Sequence, residues 1–119
     1  MKRTVILGAS SNPGRYAHIA TLKLHKYGHP VFPVGIKDGI IKGIPILTGM
    51  PAIANVDTIT LYIGSHNQPF WYEYIFSLNP KRIIFNPGTE NDWLYKQAEA
   101  KGIEALEACT LIMLSVGNY

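Results

Sequence analysis

The 119-residue chain has one cysteine, Cys109. No disulfide can close within it, so a reducing cytoplasm is the expected setting. No Cys/His spacing matches a zinc motif, and no metal site is expected. Charge is sparse too, with 16% charged residues and a formal net charge of +3. There is no Lys/Arg block and no interleaving of basic and aromatic residues, so nucleic acid is not an expected partner. Long apolar runs are missing. The N-terminal "TVIL" stops at Gly8 and is too short for a signal h-region or a membrane span. Repeats, low-complexity segments and linkers are absent as well. At this length, with 47% hydrophobic residues, one globular domain over residues 1–119 is expected.

What is present is periodic. Arg3 to Leu7 is a short β-branched run of the buried-strand kind. A helical pattern follows from Pro13 to Tyr27, with Asn12 placed to cap it and Gly28 to end it. "HPVFPVG" reads as a second strand, with Pro33 suited to its end. Lys37 to Gly49 reads as a loop around the extended piece "GIPIL", and "MPAIANV" as a helical turn. "DTITLYIG" is a central strand. "SHNQPFWYEYIFSL" carries a wide apolar helical face. "KRIIFNPG" is a strand, "TENDWLYKQAEAK" a helix and "GIEALEAC" a last strand, ahead of the apolar segment "TLIMLSV". The order predicts an α/β fold: a Rossmann-like, doubly wound, mostly parallel sheet with helices on both faces.

In such sheets ligands bind beyond the carboxyl ends of the strands. The first of these ends, Gly8 to Arg15, is small and glycine-led. Ala9, Ser10 and Ser11 let backbone amides face an anion, and Arg15 can grip a phosphate. The spacing fits neither standard nucleotide motif. Five residues separate Gly8 from Gly14, and Arg15-Tyr16 follows, so the lysine and hydroxyl of a P-loop are missing. A dinucleotide fingerprint fails at Ser10 and Pro13. The acid that NAD needs at the end of the second strand is replaced by "PVGIK". Lys37 there suits a phosphorylated ribose, as in NADP or coenzyme A.

"ILGAS" after the first strand, "HPVFPVG", "KGIPIL", "NPGTEN" and "EACTLIM", in that order, resemble the CoA-binding domain family. These are small stand-alone bacterial proteins similar to the N-terminal domain of the succinyl-CoA synthetase alpha subunit. The resemblance covers nearly the whole chain and implies a Rossmann-type fold with a site for coenzyme A or acyl-CoA. Carried over by position, Gly8, Ala9, Ser10, Ser11 and Arg15 hold the pyrophosphate. Pro33, Val34, Gly35 and Lys37 line the ribose and its 3′-phosphate. Ile63, Gly64 and Ser65 pack near the adenine or the pantetheine arm, and Pro87, Gly88 and Cys109 border the thiol end. The chain departs from the relatives' usual "PVNP", and from their glutamine-containing turn after the fourth strand. The synthetase's phosphorylated histidine lies outside the shared region, so no ligase activity carries over.

No catalytic set is apparent. His18 and His25 read as surface residues and His29 as structural. His66 alone falls on a ligand-side loop, without a nucleophile beside it. Glu90, Asn91 and Asp92 read as helix-capping residues rather than a cation site. The expected function is cofactor binding without catalysis. An NADP-type or other nucleotide binder and a ligand-free interaction module are the alternatives. Trp71, Tyr72, Tyr74 and Phe76 exceed what one helix face buries, which points to a homodimer contact.

Overall fold

A computed structural model describes every residue from Met1 to Tyr119. Strand β1 (Thr4–Leu7) leads through helix α1 (Tyr16–Lys26) to β2 (Val31–Val34). A small antiparallel hairpin, β3 (Ile40–Ile41) with β4 (Ile44–Pro45), precedes β5 (Thr58–Leu61). Two 3-10 turns, Ser65–Asn67 and Pro69–Trp71, run into α2 (Tyr72–Ser77). Then come β6 (Arg82–Phe85), α3 (Asp92–Ala100), β7 (Glu104–Glu107) and α4 (Thr110–Val116). Five strands form one wholly parallel sheet in the order β2-β1-β5-β6-β7. The order reverses between β1 and β5, which sets the switch point there.

Side chains of a strand alternate between faces, and here the two faces differ in chemistry. Ile59, Leu61, Ile83 and Phe85 join Trp71, Tyr74, Ile75, Leu78, Leu94 and Ala98 in a core of 16 buried residues under α2 and α3. On the other face Ile6 meets Ala17, Leu24 and Leu114 of α1 and α4. That second face also buries Thr58, Thr60, Arg82 and Asn86. The doubly wound α/β architecture is therefore as the pattern predicts. No helix is long and apolar enough to cross a membrane.

Several local expectations are corrected. α1 starts at Tyr16, not Pro13, because the Asn12 carboxamide turns back to accept from Gly14 N–H (2.9 Å) instead of capping a helix. The long second helix shrinks to six residues: Pro69 has no N–H to give, and the chain resolves into 3-10 turns before α2. "MPAIANV" is irregular. Met50 and Asn55 adopt positive φ, and its carbonyls serve others, Ala54 accepting from Arg3 and Pro51 from Tyr74. Pro33 lies inside β2. Its carbonyl faces away from β1 and accepts from Leu47 N–H (2.8 Å), so its missing N–H falls on the edge side of the sheet. "GIPIL" supplies β4 and the Val34–Leu47 bridge that covers this edge. The terminal apolar segment is α4.

The aromatic surplus is packed internally. Trp71 and Tyr74 are each 6% exposed, Tyr72 stacks on Trp93 at 4.6 Å, and Phe76 sits against the core. These four side chains therefore give no support to a homodimer contact; in this segment Phe70 is the aromatic that faces out.

Candidate functional site

The carboxyl ends of β1, β2, β5 and β6 open into a cleft of about 970 Å³, near the upper limit for small-molecule sites. Two glycines make its floor. Gly8 has φ +98°, and a Cβ there would lie 2.9 Å from Ile63 Cγ1 and from the Tyr62 carbonyl oxygen. A Cβ on Gly35 would lie 2.7 Å from the Ala9 carbonyl oxygen. The ends of three strands thus approach more closely than any side chain allows.

The loop from Gly8 to Arg15 is pinned from both sides. Gly8 and Ala9 N–H groups both donate to the Val34 carbonyl (2.9 Å each). Ala9 therefore has no free amide for an anion, contrary to expectation. His18, expected at the surface, is buried, and its Nδ1 donates to the Ser10 carbonyl at 3.1 Å. By contrast the N–H groups of Ser10, Ser11, Tyr16 and Ala17 make no hydrogen bond within the chain. All four residues line the cleft, with Arg15 among them. Two come from the loop and two from the first turn of α1, whose dipole adds positive potential. Free donors grouped in this way at the start of a helix have the chemistry to receive an anion.

Lys37 and Asp38 line the neighbouring wall, after β2. The Asp38 carboxylate accepts a long hydrogen bond from the Thr48 hydroxyl (3.3 Å). Tyr16, Ile36 and Phe70 stand at the rim, exposed by 70%, 77% and 72%. The site is thus polar and cationic at its centre and apolar around its mouth.

A buried amide framework holds the far side. Gln68 is fully buried. Its Nε2 donates to the carbonyls of Ile63 (2.8 Å) and Thr89 (2.7 Å), and its Oε1 accepts from Asn91 Nδ2 (2.8 Å). Asn91 also caps α3 by accepting from Leu94 N–H, as expected. Asn86 Nδ2 donates to the Thr60 hydroxyl and the Leu61 carbonyl, while its Oδ1 accepts from Thr110 N–H. Tyr62, also lining the cleft, has its phenol pushed up to about 12 by burial, with the Thr60 and Thr110 hydroxyls partly offsetting this. It stays protonated at neutral pH and offers no base. No group of three or more His, Cys, Asp or Glu side chains is placed to hold a metal ion.

Of the residues singled out in the sequence, the cleft brings together Gly8, Ala9, Ser10, Ser11, Arg15, Gly35, Lys37, Ile63, Gly64, Pro87 and Gly88. Pro33, Val34, Ser65 and Cys109 lie off it. Pro33 and Val34 are buried in β2, Ser65 is exposed in its 3-10 turn, and half-buried Cys109 precedes α4. His66 does not line it either. Sequence reasoning missed Tyr16 and Ala17, because it began the helix too early, and the rim residues Ile36 and Phe70. It also missed Gln68 and Asn86. Asn86 is marked by its place at the end of the apolar run Ile83–Phe85, whereas Gln68, behind Ser65, His66 and Asn67, carries no such signal.

A family model described as "CoA binding domain" matches residues 2–115. Among solved structures the chain is similar to an uncharacterized protein at 50% identity, covering 100% of this chain and 98% of that one, with a TM-score of 0.97. A hypothetical protein from Pyrococcus horikoshii OT3 matches at 22% identity, with 97% and 82% coverage and a TM-score of 0.83. Aspartate semialdehyde dehydrogenase II from Vibrio cholerae shares the fold at 14% identity and TM-score 0.57. The match covers 98% of this chain but 41% of that one. No curated protein matches.

Proposed function

The chain belongs to the CoA-binding domain family, and on that premise we propose that it binds coenzyme A or an acyl-CoA in this cleft without converting it. One observation carries the reading: four unused N–H groups, of Ser10, Ser11, Tyr16 and Ala17, surround Arg15 on the cleft wall. A pyrophosphate would satisfy them together with the guanidinium. Lys37 would take the 3′-phosphate of the ribose. Tyr16 and Ile36 would flank the adenosine, and the pantetheine arm would cross Ile63 and Gly64 towards Pro87 and Gly88. The cofactor is then the chain's small-molecule partner, and residues 1–119 act as one binding domain. With a single free cysteine, the cytoplasm is its expected place.

NADP is the second reading, because Lys37 suits a 2′-phosphate equally. Calorimetry with CoA, dephospho-CoA, NADP and NAD separates the two. CoA should bind tightest, and dephospho-CoA about tenfold more weakly, for the loss of one charge-assisted contact. Equal affinities for CoA and dephospho-CoA would remove Lys37 from the argument. Tighter NADP than CoA would install the second reading.

A further inference from the structure

Charge is unevenly placed along the cleft. Arg15, Lys37 and Asp38 are the charged residues that line it, and all three follow β1 or β2. The end over β5 and β6 has no charged residue in its lining: Ile63, Phe70, Trp71 and Pro87 line it, with the neutral polar groups of Tyr62, Asn67 and Thr89. Phe70 is 72% exposed and stands edge-on to buried Trp71 at 5.5 Å. It offers an apolar wall with nothing packed on it.

The buried amides behind this end are already committed, while the exposed Asn67 side chain makes no hydrogen bond within the chain. Gln68 and Asn86 spend their amides on carbonyls and hydroxyls of the framework, and the Thr89 hydroxyl donates to the Asn86 carbonyl (2.8 Å). The Gly88 N–H donates to Glu90 Oε1 at 2.9 Å. That bond has two effects. It removes a donor that an incoming carboxylate would use, and it fixes a negative charge beside the opening. The space off the Gly88 Cα is empty to 4 Å.

A ligand anchored by its phosphates over β1 and β2 lays its other end across β5 and β6. We propose that this end receives the acyl group of a CoA thioester, that the group is short, neutral and apolar, and that Glu90 turns away carboxylated acyl groups. The proposal rests on the CoA reading above. Methylenes laid against Phe70 leave water, while a second carboxylate meets Glu90 with no cation at this end, only the neutral Asn67 amide, to offset the repulsion.

The test is calorimetry of CoA, butyryl-CoA and succinyl-CoA with the wild-type protein, Phe70→Ala and Glu90→Gln. Butyryl-CoA should bind about tenfold tighter than CoA, from partial burial of its chain. Succinyl-CoA should bind about tenfold more weakly than butyryl-CoA. In Phe70→Ala the butyryl-to-CoA ratio should fall to near one. In Glu90→Gln, whose amide oxygen still accepts from Gly88, the gap between succinyl- and butyryl-CoA should narrow severalfold. CoA binding with no preference among the three, or a gap that Glu90→Gln leaves unchanged, overturns this inference alone. Failure of CoA itself to bind overturns the underlying reading and takes the inference with it.

Discussion

Arg15 is exposed, precedes α1 in extended conformation, and carries no structural duty beyond its backbone. Arg15→Ala should therefore leave stability within about 0.5 kcal/mol while weakening every pyrophosphate ligand alike, by about tenfold in calorimetric Kd. Lys37→Ala should act selectively, lowering CoA affinity towards that of dephospho-CoA. Gly35 is the opposite kind of residue. Its substitution by Ala forces a Cβ onto the Ala9 carbonyl oxygen, a backbone atom with little room to yield. Urea denaturation should show a loss of about 2 kcal/mol. The charged members of this set were legible in the sequence as residue types at strand ends. Which amides remain free was not legible, since that depends on Val34 drawing off two of them.

At the scale of elements, the five strands and the two longer helices could be read from periodicity, because alternation and glycine stops act locally. The failures share a cause. α1 began late because a side chain satisfied a turn, and α2 shortened because Pro69 has no N–H to give and buried Gln68 is held by carbonyls outside the helix. Gln68 ties the turn after β5 to the loop after β6, and through Asn91 to α3. Gln68→Met keeps the volume and loses these bonds. It should cost about 3 kcal/mol, for carbonyls left buried without donors. Hydrogen exchange should show faster opening around Ile63 and Thr89 than around β1.

For the molecule as a whole, pH reports the buried phenols. Tyr62 in the fold is pushed up to about 12, and burial also raises Tyr74 and Tyr119. Unfolded tyrosines ionise near 10. Stability from this source is therefore full below pH 10 and is lost as pH rises from there through about 12. Tyr62→Phe should reduce that alkaline loss, read from the urea midpoint between pH 9 and 11. His29 shifts the other way. Burial and the neighbouring N-terminus, Lys2 and Arg82 lower it, with Asp57 opposing, and its Nδ1 accepts from Lys2 N–H. Only the neutral ring accepts that bond, so stability is full above pH 6.5 and declines as pH falls below it.

The contact of Gly35 with the Ala9 carbonyl, and of Gly39 with the Ser11 side chain, bears on how such a protein can be re-engineered. Two loops far apart in the chain are cut to each other's shape, so they form one exchangeable part rather than two. A chimera that imports a relative's first loop without its partner after β2 inherits a steric mismatch before any question of ligand arises. One that moves both together carries the fit with it. Libraries aimed at new cofactor preference are best built on Ile36, Lys37 and Asp38, which line the cleft between these two contacts and leave both glycines in place.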